Sequence, residues 1–262
     1  EYLEGLPKGT KDGTKIDNVK RDFGPALASQ LERKHSSVLT MKLGELTVSS
    51  DLHSMDQAGI WKGGFLDLSN TQHVRPRGEG TADPDGEPID ALQGWAWGHD
   101  GTLHYPRDGL LPRGPMPEEW MDYRGHYLHG EQLVMRYRID GREIHHLPQQ
   151  GDTSLSIRNT LRIGPGAALV LRLVDRATAG ASSFRVNSGE TFAWVGADRD
   201  RPKGAYTAAG IFGQIEGTRL QADVNGQIIL TIPAGQDTRQ ISIEIQAGTG
   251  RSSLSDFESR IS

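Results

Sequence analysis

Between residues 120 and 246 apolar side chains return at every second position. In Gln132–Ile139 the residues Leu133, Met135, Tyr137 and Ile139 share one face, and Arg136 and Arg138 fall on the other. That is the pattern of a half-buried strand with a basic outer face. Its neighbours Tyr123–Leu128 and Arg142–Leu147 read the same way. The turns His129-Gly130 and Asp140-Gly141 join the three into an antiparallel meander. Leu155–Ile163 alternates and stops at Gly164-Pro165-Gly166, while Ala168–Val174 is almost wholly apolar and reads as a central strand. Further strands are expected at Phe184–Asn187, Thr191–Val195, Ala208–Phe212, Arg219–Val224, Gln227–Ile232 and Gln240–Gln246, with Asn225-Gly226 as a type I′ hairpin. Upstream, Ser37–Leu43 and Glu45–Ser49 flank Gly44, and Asp51 is positioned to cap a short helical turn through Ala58. No helix longer than about two turns is predicted. Short strands with turn chemistry between them predict an all-β fold, an antiparallel β-sandwich-like domain with minimal helix.

One stretch breaks the pattern. Residues 62–119 show neither a helical nor a strand period, yet hold seven of the thirteen prolines and ten glycines. Trp95 and Trp97 lie within it, and Trp61 and Trp120 flank it. Ten acidic residues against five basic ones also make it the acidic part of a chain whose net charge is −5. A loop this long is functional or disordered. Indoles are costly to leave unpacked, which favours an ordered loop wrapped over one face of the sandwich. The expected organisation is a flexible arm over 1–20, one domain over 21–250 with 62–119 as its functional loop, and a tail or linker over 251–262.

The chain has 262 residues and no cysteine, which excludes disulfides, zinc–thiolate sites, iron–sulfur clusters and a covalent c-type haem on it. An acidic balance argues against nucleic acid as a partner. No apolar run approaches the roughly 18–20 residues of a membrane span.

Candidate chemistry concentrates in and beside the loop. In GWAWG, Trp95 and Trp97 are two residues apart; in extended backbone both rings face one way, a flat platform on which sugar rings stack. The competing reading plugs the pair into the sandwich as an anchor, and Trp61 is open to the same two readings. The platform predicts that Trp95→Ala or Trp97→Ala abolishes binding without loss of fold. Arg107, Tyr123 and Arg124 complete the candidate ligand surface. With Arg75, Arg77, Arg113, Arg136 and Arg138, the two arginines either grip an anionic glycan or pair with nearby acids. The run DPDGEPID places Asp83, Asp85, Glu87 and Asp90 as hard oxygen donors for calcium, although glycine falls at the fourth place and Gly94 at the twelfth, against the EF-hand spacing. Otherwise they form a solvated acidic turn. Glycan cleavage needs two carboxylates across a cleft. Asp67, Asp108 and Asp122 are the candidates, and Asp108 with His104 or His126 forms the catalytic alternative. His99 lies in the same loop, unconstrained in geometry. The chain has no GxSxG, P-loop or GxGxxG motif.

The runs DFGPALASQLE, LTMKLGELTVSSDLHSM, AGIWKGGFLDL, HVRPRGEG, GWAWG, PRDG, LPRGPMPEEWMDYRGHYLHGEQLVMRYRIDG and REIHHLP, in this order over residues 22–148, resemble an uncharacterised module of large secreted proteins of planctomycetes and verrucomicrobia. The resemblance implies an N-terminal module that precedes quinoprotein-like and c-type cytochrome domains, a secreted or periplasmic location and a polysaccharide context. It carries no catalytic residues. The leading expectation is a non-catalytic module that binds polysaccharide or oligosaccharide, or docks neighbouring domains of a longer chain. It needs no cofactor, calcium being the one open possibility. The alternatives are a glycan hydrolase or lyase with its cleft beside the loop, and a purely structural assembly domain.

Overall fold

A computed structural model describes residues 23–68, 82–103, 115–176, 185–196, 204–213 and 216–261. The loop candidates His104, Arg107 and Asp108, and the proposed arm over 1–20, lie outside these residues.

The alternating segments form strands that pair antiparallel into three main sheets. Strands β1 (Ala26–Leu31), β2 (His35–Leu43), β3 (Leu46–Asp51) and β4 (Gln57–Lys62) run in sequence order. The helical turn expected from Asp51 is a single one: the Asp51 carboxylate accepts from the His53 amide and its carbonyl from the Met55 amide, each at 2.8 Å. It does not run on through Ala58, because β4 begins at Gln57, with Ile60 and Trp61 buried. Within the 62–119 segment, β5 (Leu66–Asp67) and β6 (Asp83–Pro84) form a short ribbon, and β7 (Glu87–Pro88) adds a fifth strand beside β4. A 3₁₀ turn (Asp90–Leu92) follows, then β8 (Ala96–Trp97).

The meander is β9 (Met121–His129), β10 (Gln132–Ile139), β11 (Arg142–Gln150) and β12 (Ser156–Ile163). The remaining strands are β13 (Leu169–Asp175), β14 (Arg185–Asn187), β15 (Phe192–Gly196), β16 (Ala205–Phe212), β17 (Arg219–Ala222), β18 (Gln227–Ile232) and β19 (Arg239–Thr249). Eight of them make one sheet in the order β14-β15-β16-β19-β12-β11-β10-β9, and β17-β18-β13-β8 make a four-stranded sheet. One contiguous core draws Leu39 and Met41 from the five-stranded sheet, Leu171 and Leu230 from the four-stranded sheet, and Met135, Leu161 and Ile243 from the eight-stranded sheet. The fold is thus an all-β, sandwich-like packing of antiparallel sheets. The long loop is part of it rather than decoration, since it lends β7 and β8 to two sheets.

Turn chemistry explains two details. Asp140 and Gly141 have φ of 46° and 78°, so the β10–β11 hairpin has the left-handed pair of a type I′ turn. At Asn225-Gly226 only the glycine is left-handed. The Asp223 carboxylate accepts from the Asn225 and Gln227 amides at 3.0 and 2.9 Å and holds a wider loop, which corrects the type I′ expectation.

The C-terminal segment, expected to be a tail, contains α1 (Arg251–Ile261). Leu254 and Phe257 face inward and pack on Phe192, Trp194, Tyr206 and Ala208 of the eight-stranded sheet. Gly210 makes room for it, because a Cβ there would lie 1.7 Å from Ile261 Cδ1. The last turn is tied down by Arg260, which reaches the buried Glu244 at 3.4 Å and Gln246 Oε1 at 2.7 Å. Arg158 holds the same carboxylate from the neighbouring strand at 3.1 Å. Leu254→Ala should therefore cost about 2 kcal/mol in chemical denaturation. An unchanged midpoint would mean that the helix does not dock. Among the described residues no helix is long and apolar enough to cross a membrane.

Candidate functional site

The tryptophans do not form a surface platform. Trp95, Trp97 and Trp61 are 8, 0 and 1% exposed. The rings of Trp95 and Trp97 meet edge to face, 6.1 Å apart at 89°. Only Ala96 and Trp97 belong to β8, and Trp97 pairs with Leu171 of β13. Trp95 lies before the strand, so the alternation that would align the rings is not present. This burial corrects the platform reading. Trp61 is fixed by its indole N–H, which donates to the Phe65 carbonyl at 2.8 Å.

What these rings build is a buried polar chain. Trp97 Nε1–H donates to the Tyr137 hydroxyl at 3.3 Å, and that hydroxyl lies 3.2 Å from His146 Nδ1. His146 Nε2 lies 2.8 Å from Asn159 Oδ1, which can only accept, so the proton sits on Nε2. Nδ1 therefore accepts from Tyr137. Trp95 stacks on the imidazole at 4.9 Å and 16°. Burial pulls the His146 pKa down to about 4, against a smaller rise from Asn159, and pushes the Tyr137 phenol up. A cavity of about 30 Å³ beside this chain is lined by Trp95, His146, Asn159, Ser50 and Gln57 among apolar neighbours. It has room for about one water.

The exposed chemistry lies on the other side of the same strands. A bulge lets Arg136 face Gly125 and Tyr137 face Tyr123, which leaves Arg124 as the extra residue. Gly125, at φ 112°, supplies the bend. The bulge reverses the alternation, bringing His126 onto the side of Tyr123, where the phenol oxygen and His126 Nδ1 are 2.6 Å apart. Burial pushes the Tyr123 phenol up to about 12. The bulge also turns Tyr127 to the outer side with Arg136. There Tyr127 Oη lies 3.4 Å from His145 Nδ1, and His145 Nε2 lies 2.9 Å from Glu143. Glu143 accepts two bonds from Arg136, each at 3.0 Å. The Arg136 fork, then His145, hold the Glu143 carboxyl down at about 2. Tyr127 and Leu128 stay 47 and 55% exposed. Arg124 pairs with Asp122 and lies 3.6 Å from Glu118.

At the turn end of these strands, the Asp140 carboxylate bonds His99 Nδ1 and, through its second oxygen, the Asp100 amide at 3.0 Å. The imidazole stacks on Trp120 at 4.1 Å and 24°. Among the described residues His126 bonds Tyr123 and no carboxylate.

The four calcium candidates spread over β6, the turn after it, β7 and the 3₁₀ turn. Among the described residues no group of three or more His, Asp or Glu side chains gathers as a metal site, so these four carboxylates do not converge on one point. Asp67 sits opposite Asp83 in the β5–β6 ribbon. The residues that sequence reasoning missed are Tyr127, Glu143, His145 and the His99–Asp140 pair. The first three alternate visibly, but their partnership depends on a bulge that only Gly125 signals. His99 and Asp140 are too far apart in the chain to leave a local signal.

A family described as a domain of unknown function (DUF6797) matches residues 48–146, less than half of the chain. The match runs from β3 to His146 and includes Trp97, Tyr137 and His146 of the buried chain but not Asn159. No curated protein matches. A family 36 α-galactosidase of Geobacillus stearothermophilus, solved with 1-deoxygalactonojirimycin, is 10% identical at a TM-score of 0.37. The alignment covers 80% of this chain and 40% of that one, so the chain spans well under half of the enzyme. A structure described as HI1317 is 12% identical at a TM-score of 0.30, over 81% of this chain and 92% of the other. Likeness this low does not establish a shared fold.

Proposed function

We propose that this chain is a non-catalytic carbohydrate-binding module that presents the outer face of β9–β11 to a polysaccharide. The observation that carries the reading is Tyr127, an exposed aromatic ring held by the His145–Glu143–Arg136 network. A sugar stacks its C–H face on such a ring while its hydroxyls take hydrogen bonds from fixed polar neighbours. A ring that is already ordered loses little rotamer freedom on binding. Arg138, on the same face and without an ion pair among the described residues, favours an acidic chain. The candidate surface is thus Tyr127, His145, Arg136 and Arg138, with Arg124 at its margin, in place of the buried tryptophans. The resemblance noted above supports an exported, multi-domain, polysaccharide-processing context.

The test incubates the protein with cellohexaose, hexagalacturonate and a sulfated heparin hexasaccharide, reading bound protein and released products together. Retention without products is expected. Tyr127→Ala should weaken retention about tenfold or more, taking a sugar stacked on the ring to be worth about what a stacked base is, roughly 1–3 kcal/mol, with an unchanged thermal midpoint. Products accumulating with time would replace this reading with a hydrolase or lyase. Neither retention nor products would leave a scaffold, for which the exposed β9 edge at Leu128 offers the docking strand.

A further inference from the structure

The His99–Asp140 pair is built more firmly than a surface contact requires. Asp140 sits in the left-handed region at φ 46°, and Asp100 at φ 49°. At both places this is the left-handed pair of an Asp-Gly turn, with Gly141 and Gly101 at φ 78° and 70°, and it fixes the direction in which each loop presents its side chains. The turn that carries His99 is closed by two backbone bonds, His99 N–H to Thr102 O at 2.8 Å and Thr102 N–H back to His99 O at 3.0 Å. The ring plane is set by the Trp120 stack. The second carboxylate oxygen is anchored by the Asp100 amide, so Asp140 can aim only one oxygen at the imidazole. That oxygen accepts the Nδ1 proton, and the neutral ring then carries its lone pair on Nε2. Among the described residues nothing bonds Nε2, and the His99 side chain is 21% exposed.

We propose that His99 is a ligand-binding residue whose Nε2 accepts the hydroxyl of a carbohydrate, with Asp140 as the positioning residue that fixes the tautomer. The proposal rests on the carbohydrate reading and names a second contact point for the same ligand. Asp140 directly follows β10, four residues on from Arg136, a separation of roughly 13 Å at the rise of a strand, which is within the length of one oligosaccharide. A purely structural clamp would need the Nδ1 bond alone and would leave Nε2 indifferent to sugars.

The test is the long-range ¹H–¹⁵N spectrum of the nine histidines, with His99 assigned through His99→Gln, during titration with cellohexaose, hexagalacturonate and the heparin hexasaccharide. The free protein should show His99 with its proton on Nδ1, and the Nε2 resonance should move saturably with at least one sugar. Movement of both His99 and His145 supports the proposal and the module reading together. Movement of His145 alone overturns the proposal and leaves the module reading standing. Movement of His99 alone keeps the proposal and removes the Tyr127 face. No movement at either overturns both. Asp140→Asn should mix the tautomers and weaken binding about tenfold, the effect of losing roughly one good hydrogen bond. Unchanged affinity beside a changed tautomer would overturn the positioning role.

Discussion

Lowering the pH from 7 to 4 will cost the domain about 3 kcal/mol of stability through His146 alone. The imidazole titrates at about 4 in the folded chain against an ordinary 6.5. The folded state therefore disfavours the charged ring. The full contribution is present above pH 6.5, falls as the pH drops from 6.5 to 4, and changes no further below 4. The structural cause is the one-way hydrogen-bond chain. Trp97 N–H donates to Tyr137, Tyr137 donates to Nδ1, and Nε2–H donates to Asn159. A second proton on Nδ1 would face the Tyr137 hydroxyl proton, and the Tyr137 oxygen already receives the indole N–H. Carboxylates held low by their partners, such as Glu143 at about 2, add their loss mainly below pH 4.5, so the His146 window is separable. Urea denaturation at pH 7, 6, 5 and 4 measures the slope. In His146→Gln the protein should be weaker at pH 7 but lose much less between 6.5 and 4. Parallel curves for the two proteins would mean that another group carries the acid sensitivity.

The sequence foretold the sheets better than the site, and particular residues show why. The strict alternation of Leu133, Met135, Tyr137 and Ile139 survives in β10 because one face of it is core and the other solvent. Nothing comparable marks β8, whose two residues become a strand only because β13 offers them a free edge. The Gly94 backbone shows how tight that fit is: at φ 138°, a Cβ would lie 2.1 Å from the Asp175 amide. Tertiary closure of this kind has no period to read. The bulge at Gly125 had the opposite effect. It left the strand legible while exchanging which side chains share a side, so Tyr127 and His126 landed where simple alternation would not put them. The helix at the C-terminus is short and mostly polar, with Leu254 and Phe257 as its buried residues. It is held by Arg260 and a groove that Gly210 leaves open, both of which depend on strands distant in sequence.

Trp97→Ala will cost about 4 kcal/mol and will read as loss of fold rather than loss of binding. The ring is fully buried between sheets, touching Trp95 edge to face and Tyr137 at 6.2 Å. Removing it opens a cavity and also takes away the indole N–H that donates to the Tyr137 oxygen, at the head of the chain that keeps His146 neutral. Two consequences separate this from simple loss of volume. Trp97→Phe keeps most of the ring but not the N–H, so it should cost roughly 1–2 kcal/mol, the range for a lost buried hydrogen bond. It should also leave Tyr137 freer to accept from a protonated His146, and so shrink the stability lost between pH 6.5 and 4. A double-mutant cycle of Trp97→Phe with His146→Gln should then show coupling of at least about 0.5 kcal/mol, as expected for members of one network. Additive effects would mean that the indole acts by packing alone. A Trp97→Ala protein that kept its wild-type midpoint and lost only sugar retention would return the tryptophans to the surface and remove Tyr127 as the stacking ring.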